Sequence, residues 1–427
     1  MRSFVKGLMV LAVSSLIGIA VLEAAAPRLY TRYTQRPFAA EEIAARLLHP
    51  PGAAPDAPAA NLSPGDPRVA DQRVIIHPYF GYTANPAKAD VNAYGFFGAD
   101  PLAARKDGVA RVAIMGGSVA DQLVKTAGAA LTDALDGAPR FAGRSIELVD
   151  LALGGYKQPQ QLLVLATLLA LGAQFDAVIA VDGFNEIDGA KDNAQDGINP
   201  YYPYTWNLHA RQALDPAALM HIAAVEAARA RREALRTGFA RWPVPHSAFL
   251  LTLWDLLDRR QEATIRAETA ALRDALAHSP ATPQQTGPAV AFADDNAMYA
   301  EFVEVWARAS LEMSMLCASH GIAYFQFLQP NQYFPGSKTL TAEEREGAYD
   351  PDVADAGRVA TAYPMLRERG SDLVAQGVPF TDLTMLFKDE PRSVYGDTCC
   401  HLNALGNAEL AEAIGRALSA VPPSAEQ

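Results

Sequence analysis

Four short segments, in a fixed order along the chain, gather residue types that can do chemistry together: Gly116-Gly117-Ser118, Leu153-Gly154-Gly155, Gly183-Phe184-Asn185-Glu186 and Asp397-Thr398-Cys399-Cys400-His401-Leu402-Asn403. Ser118 offers a hydroxyl nucleophile and His401 an imidazole able to take its proton. The segments around Gly154-Gly155 and Asn185 add two backbone or amide donors able to hold an oxyanion, which completes the minimum apparatus for acyl transfer. Each segment also has an ordinary reading. A Ser after two glycines at the head of a helix is a common cap, Gly154-Gly155 a strand-to-loop turn, and Asn185 a turn residue. Their ordered co-occurrence is what points to chemistry. Gly154 is the alternative donor to Gly155. Asp397, four residues before His401, is the candidate to orient the imidazole; Asp382 is the fallback, and a backbone carbonyl in that role would leave a Ser-His dyad. Gly-Gly-Ser-Val-Ala is not G-x-S-x-G, which argues against the nucleophile elbow of α/β-hydrolases.

These residues need a scaffold that brings distant segments to one rim, and the surrounding sequence predicts one. Buried-type strands alternate with helical patterns, the sign of a parallel sheet covered on both faces. Strands are expected at Val109–Met115, Ile146–Leu151, Ala177–Val181, Ile322–Leu328 and Phe380–Leu383, and helices at Asp121–Leu135, Pro159–Leu171, Met298–His320, Val353–Gln376 and Ala404–Leu418. Pro159 suits a first helical turn. Ligands of open sheets bind beyond the carboxyl ends of strands, and Ser118, Gly155 and Asn185 each follow such an end. Gln329 and Asn331, in Gln329-Pro330-Asn331-Gln332-Tyr333, leave the fourth strand at the same rim and are candidates to meet substrate hydroxyls, although Asn and Pro also build turns. Residues 188–297 break the alternation, with helical stretches at Pro216–Thr237 and Leu250–His278 and a breaker-rich loop at Ser279–Pro288. This insertion reads either as a lid over the site or as a peripheral helical hairpin.

The order of the four segments resembles the SGNH (GDSL-like) hydrolase superfamily, whose blocks supply Ser, Gly, Asn and His. His401-Leu402-Asn403-Ala404-Leu405-Gly406-Asn407 is similar to that family's His-Leu-x-x-x-Gly-Asn ending, and Gly183-Phe184-Asn185-Glu186 to its Gly-x-Asn-Asp block. Three departures stand out: Asp150 where the family more often has Asn, Glu186 for Asp, and Thr398 where its acid usually stands, three before the His. The resemblance implies a flavodoxin-like three-layer α/β/α fold with a central parallel sheet over residues 74–421, with catalytic Ser118, His401 and Asp397 and an oxyanion hole of Ser118, Gly155 and Asn185. It implies a serine esterase or deacylase acting on O-acyl esters of a small molecule or polysaccharide, without metal or diffusible cofactor. An O-acyltransferase of exported polysaccharide and a non-catalytic glycan-binding or assembly protein are the alternatives.

The N-terminus addresses a membrane. Arg2 and Lys6 precede the uncharged apolar run Gly7–Leu22, which Glu23 ends, so residues 1–26 read as a retained anchor or, with Ala24-Ala25-Ala26 as a cleavage region, as a signal peptide. Either way the bulk lies outside the cytoplasm, in the periplasm of a Gram-negative cell or secreted after cleavage. Residues 27–73 read as a juxtamembrane region, helical at Ala39–Leu48, followed by a Pro/Ala-rich tether, and residues 422–427 as a tail. The segment from Val74, rich in Gly and aromatics, reads as an irregular packed loop. A net charge of -12, with no dense basic run, argues against nucleic acid as a partner. With 3 cysteines there is no disulfide framework; a Cys317 bridge to Cys399 or Cys400 and three buried thiols both remain open. Cys399-Cys400-His401 is not expected to hold zinc, because neighbouring side chains diverge and a fourth ligand is missing.

Overall fold

The computed structural model describes residues 2–48, 74–207, 209–210, 216–241, 244–278 and 282–421. The tether from 49 to 73, the start of the Ser279–Pro288 loop and the tail at 422–427 lie outside the described residues. Contacts divide the chain into two units. One holds residues 74–207, 209–210 and 282–421; the other holds 2–48, 216–241 and 244–278.

In the first unit, β3 (Val109–Gly116), β4 (Ser145–Asp150), β5 (Ala177–Asp182), β6 (Ala323–Leu328) and β7 (Phe380–Asp382) form one parallel sheet in the order β4-β3-β5-β6-β7. The central strands carry apolar runs rather than alternation because both faces are covered. Val112 to Met115 and Ala177 to Val181 are all fully buried. The order reverses direction between β3 and β5, the place where an open parallel sheet leaves a crevice at its carboxyl edge. Register keeps that edge level: Ile114 pairs with Asp150, Gly116 with Val181, Asp182 with Leu328 and Leu328 with Asp382.

The helices differ from expectation mainly at their starts. The first runs Ser118–Asp136, so Ser118 opens it rather than preceding it. Pro159 lies just before the Gln160–Ala170 helix, after a cis Gln158-Pro159 peptide, instead of in its first turn. A helix at Phe184–Gln195 runs through the expected start of the insertion. Helices Asp295–Ser319, Ala354–Ala375 and Ala404–Ala420 follow, and the last lies so close to Ser118–Asp136 that a side chain at Gly415 would strike Ala134. The segment at Val74 is not irregular. β1 (Val74–His77) and β2 (Gly81–Ala84) pair as an antiparallel hairpin, with Gly81 at φ +86 permitting the turn.

The second unit is helical: Arg2–Thr34, Ala40–Leu48, Pro216–Phe239 and Ala248–His278. The N-terminal helix is long and apolar enough to cross a membrane or to serve as a signal sequence. Ala40–Leu48 is a separate helix, because the chain turns at Gln35, φ +56. The carboxylate of Glu23 caps the Ala248–His278 helix, accepting from the Ser247 hydroxyl and from the N–H groups of Ala248 (2.7 Å) and Phe249 (3.3 Å). Tyr30 donates to Asp255 at 2.8 Å, and Arg46 and Arg259 pair with the same buried carboxylate. From the first contact to the second, both helices advance by the same number of residues, so they run parallel. Tyr30, Ile43, Leu47, Leu251 and Trp254 form the small core around these bonds.

Candidate active site

β3 leaves the sheet at Gly116, φ +147, where any side chain would collide with the Val181 carbonyl of β5. Only glycine lets the chain turn there. The turn puts Ser118 at a helix N-terminus, whose dipole favours negative charge. The Ser118 hydroxyl lies 2.7 Å from His401 Nε2, and His401 Nδ1 lies 2.5 Å from Asp397 Oδ2. A carboxylate accepting the Nδ1–H leaves Nε2 as acceptor for the hydroxyl, the tautomer that general-base chemistry requires. Ser118 and His401 are only 4% and 3% exposed.

The three residues between Asp397 and His401 form a tight loop. Tyr395 bridges Leu402, and Gly396 N–H donates to the His401 carbonyl at 2.8 Å, closing the loop at its base. Inside it, Asp397 Oδ1 accepts the N–H groups of Cys399 (3.0 Å) and His401 (3.3 Å), which turns Oδ2 toward the imidazole. Burial pushes the Asp397 carboxyl up, and the hydrogen bond and charge of His401 with those N–H groups outweigh it, leaving the group below its ordinary value. Gln332 holds the Asp397 carbonyl at 3.0 Å, and Tyr333 the Thr398 carbonyl at 2.7 Å.

Opposite this loop, the second and third segments meet beside Ser118. Leu153 N–H donates to the Gly116 carbonyl at 3.3 Å, and Asn185 Nδ2 donates to the Tyr156 carbonyl at 2.9 Å. A side chain on Gly117 would fall on that same Asn185 nitrogen, so the amide lies directly against the residue before Ser118. Among the described residues, the second Asn185 N–H has no acceptor. Gly155 has φ +80, and a Cβ there would come within 2.8 Å of the Tyr82 hydroxyl and 2.9 Å of the Tyr204 ring. Gly154, the alternative donor, has its carbonyl held by the Tyr82 hydroxyl at 2.9 Å. Among the described residues, neither the Ser118 nor the Gly155 N–H has an acceptor within the chain.

Buried charge braces this corner. Glu186 accepts from Gly183 N–H at 2.8 Å and Gln158 N–H at 3.0 Å, tying the loop after β4 to the helix after β5. Burial pushes its carboxyl up, with the Asp182 charge adding to the effect. Lys157, 1% exposed, donates to the carbonyls of Pro200 (2.5 Å) and Tyr202 (2.6 Å), and burial pushes its ammonium down to about 7 against the opposing charge of Glu186. Asn193 Nδ2 also reaches the Tyr202 carbonyl, at 2.9 Å. The segment carrying Tyr204 is thereby fixed as a strap against Gly155 and Gly189. Asp150 Oδ1 accepts Ala152 N–H at 3.0 Å, and burial followed by the Asp121 charge pushes its carboxyl well up.

Asp382 is committed elsewhere, to Arg367 Nε at 2.5 Å and Thr384 N–H at 2.9 Å, so it is not the acid beside His401. Asn331 is fully buried and its side-chain oxygen accepts Tyr333 N–H at 2.9 Å, forming a turn; Gln329 is 4% exposed. Among the described residues, Asn331 Nδ2 and Gln329 Nε2 have no partner. All three cysteines are free thiols. Cys399 and Cys400 do not diverge: their sulfurs are 3.3 Å apart, and with a His401 nitrogen they form a group spanning no more than 4.8 Å. A metal there would have to take the imidazole from Ser118 or Asp397. Gln332, Tyr333, Tyr156 and Lys157 escaped the sequence reading because backbone carbonyls are their partners, and a carbonyl leaves no residue-type signal. Compared with known proteins, the chain matches no protein-family model and no curated protein sequence.

Proposed function

We propose that the protein is a membrane-anchored serine esterase or deacylase of the SGNH type, with the flavodoxin-like three-layer fold of that class, acting outside the cytoplasm on O-acyl esters of carbohydrate. The observation that carries this reading is the continuous relay from Ser118 through His401 to Asp397, at 2.7 Å and 2.5 Å. His401 takes the Ser118 proton as the hydroxyl attacks the ester carbonyl. The oxyanion is received by the N–H groups of Ser118 and Gly155 and the free N–H of Asn185. His401 then protonates the leaving alcohol, and a water activated by the same imidazole releases the acid. Labelling with a fluorophosphonate tests the reading: the wild type should react and Ser118→Ala should not, with ester turnover falling at least about a thousandfold. A folded wild type that resists the probe and every acylated glycan would end it.

A second reading keeps the acyl-enzyme and passes the group to a sugar hydroxyl, making the protein an O-acyltransferase of exported polysaccharide. The near-complete burial of Ser118 and His401 favours it, because a dry site slows hydrolysis relative to transfer. Measuring acid release with and without a glycan acceptor separates the two. Asp397 within reach of His401 counts against a binding role without chemistry.

A further inference from the structure

Where the N-terminal helix passes its apolar run, its faces diverge in character. Glu23, Ala26 and Tyr30 face the Ala248–His278 side, with Ala26 and Tyr30 buried and Glu23 capping that helix. Leu22, Leu29 and Tyr33 form a second stripe and are 45%, 62% and 80% exposed. Arg28 and Arg32, one turn apart, border an open groove of about 550 Å³ with Pro27, Thr31, Pro37 and Phe38. The side chain of neither arginine, nor that of Arg36, has a hydrogen bond or ion pair among the described residues.

This is an unusual charge arrangement for a segment on the exported side of a membrane. Arg28, Arg32 and Arg36 outnumber Arg2 and Lys6, whereas positive charge ordinarily accumulates on the cytoplasmic flank. Unpaired guanidinium groups beside exposed Leu and Tyr, at the end of a spanning helix, match the chemistry of the headgroup layer: a planar fork for phosphate and apolar side chains for the acyl boundary. We propose that Arg28 and Arg32 bind the phosphate of an anionic phospholipid, which seats the helical unit on the membrane surface. The inference rests on a retained anchor and is independent of the acyl chemistry. Retention has its own support, because cleavage after Ala24-Ala25-Ala26 would sever Glu23 from the helix it caps.

The test uses the full chain in a neutral detergent, observed by native mass spectrometry with phosphatidylglycerol, phosphatidylcholine or sodium phosphate added. The intact mass comes first: a chain lacking its first residues overturns the anchor and the site with it. With the chain whole, the wild type should retain phosphatidylglycerol in preference to phosphatidylcholine. Arg28→Gln with Arg32→Gln should weaken that retention about thirtyfold, from the loss of two charges near the surface. Arg28→Lys with Arg32→Lys should fall between, and Arg266→Gln, on an exposed helical face, should match the wild type. Equal retention of both lipids, or unchanged retention by the double Gln variant, overturns the proposal. Inorganic phosphate bound as tightly as the lipid also overturns it, since the groove would then be an anion site only. Thermal unfolding of the variants should coincide with the wild type, because both side chains are exposed and unpaired.

Discussion

At the scale of single residues, the site turns on which groups can be exchanged independently. Asp397→Asn should lower kcat by about 10⁴, because an amide in that place favours the wrong imidazole tautomer, while Asp382→Asn should leave kcat unchanged. The same carboxyl sets an acid limb of stability. Its folded-state pKa lies below its unfolded value, so its contribution is complete above about pH 4 and is lost as pH falls through the lower folded value. Thermal melts of wild type and Asp397→Asn should therefore converge toward low pH; parallel melts at every pH would show that the contact does not favour the ionised form. Asn185→Ala should cost roughly a hundred- to a thousandfold in rate. Gly117→Ala should reproduce most of that loss by evicting the Asn185 amide, and the double variant should be little worse than either. Additive losses would separate the two positions. Ser118, Gly155, Asn185, His401 and Asp397 were legible in the sequence because their types are distinctive and each follows a strand end or a glycine. The reach of Asp397 was not, since it depends on a loop closed by backbone bonds between Gly396 and His401.

At the scale of elements, Lys157 ties the strap that carries Tyr204 to the donor corner. Lys157→Met leaves the Pro200 carbonyl without its donor and the Tyr202 carbonyl with Asn193 alone, and frees Tyr204 to drift from Gly155. The expected result is a loss of roughly ten- to a hundredfold in kcat/KM, with Ser118 still reactive toward a small fluorophosphonate. If turnover of large and small esters stays at the wild-type level, the strap has no part in positioning. The strands were readable because β3 and β5, buried on both faces, print continuous apolar runs. The helix at Phe184–Gln195 was not, because it is short and polar on average and starts inside the Gly183–Glu186 segment. The β1–β2 hairpin was hidden for another reason. Its short strands are punctuated by Pro78 and Gly81, and they read as loop until paired.

At the scale of the whole molecule, sequence showed the insertion but not its partners. Periodicity marks the helices of residues 216–278, yet nothing local says that Asp255 will be met by Tyr30 and Arg46. Two changes measure that union. Glu23→Ala removes a helix cap and should cost about 1 kcal/mol. Tyr30→Phe withdraws a donor from a fully buried carboxylate and should cost about 1–3 kcal/mol, both read as lowered Tm in detergent. Melts identical to the wild type would mean that the N-terminal helix is only a leash. The union also governs how this chain can be handled. A truncation begun near residue 74 keeps Leu251, Trp254 and Asp255 while discarding Tyr30, Ile43, Arg46 and Leu47, and such a fragment should aggregate through the bared helix. A workable soluble fragment would excise both stretches at once.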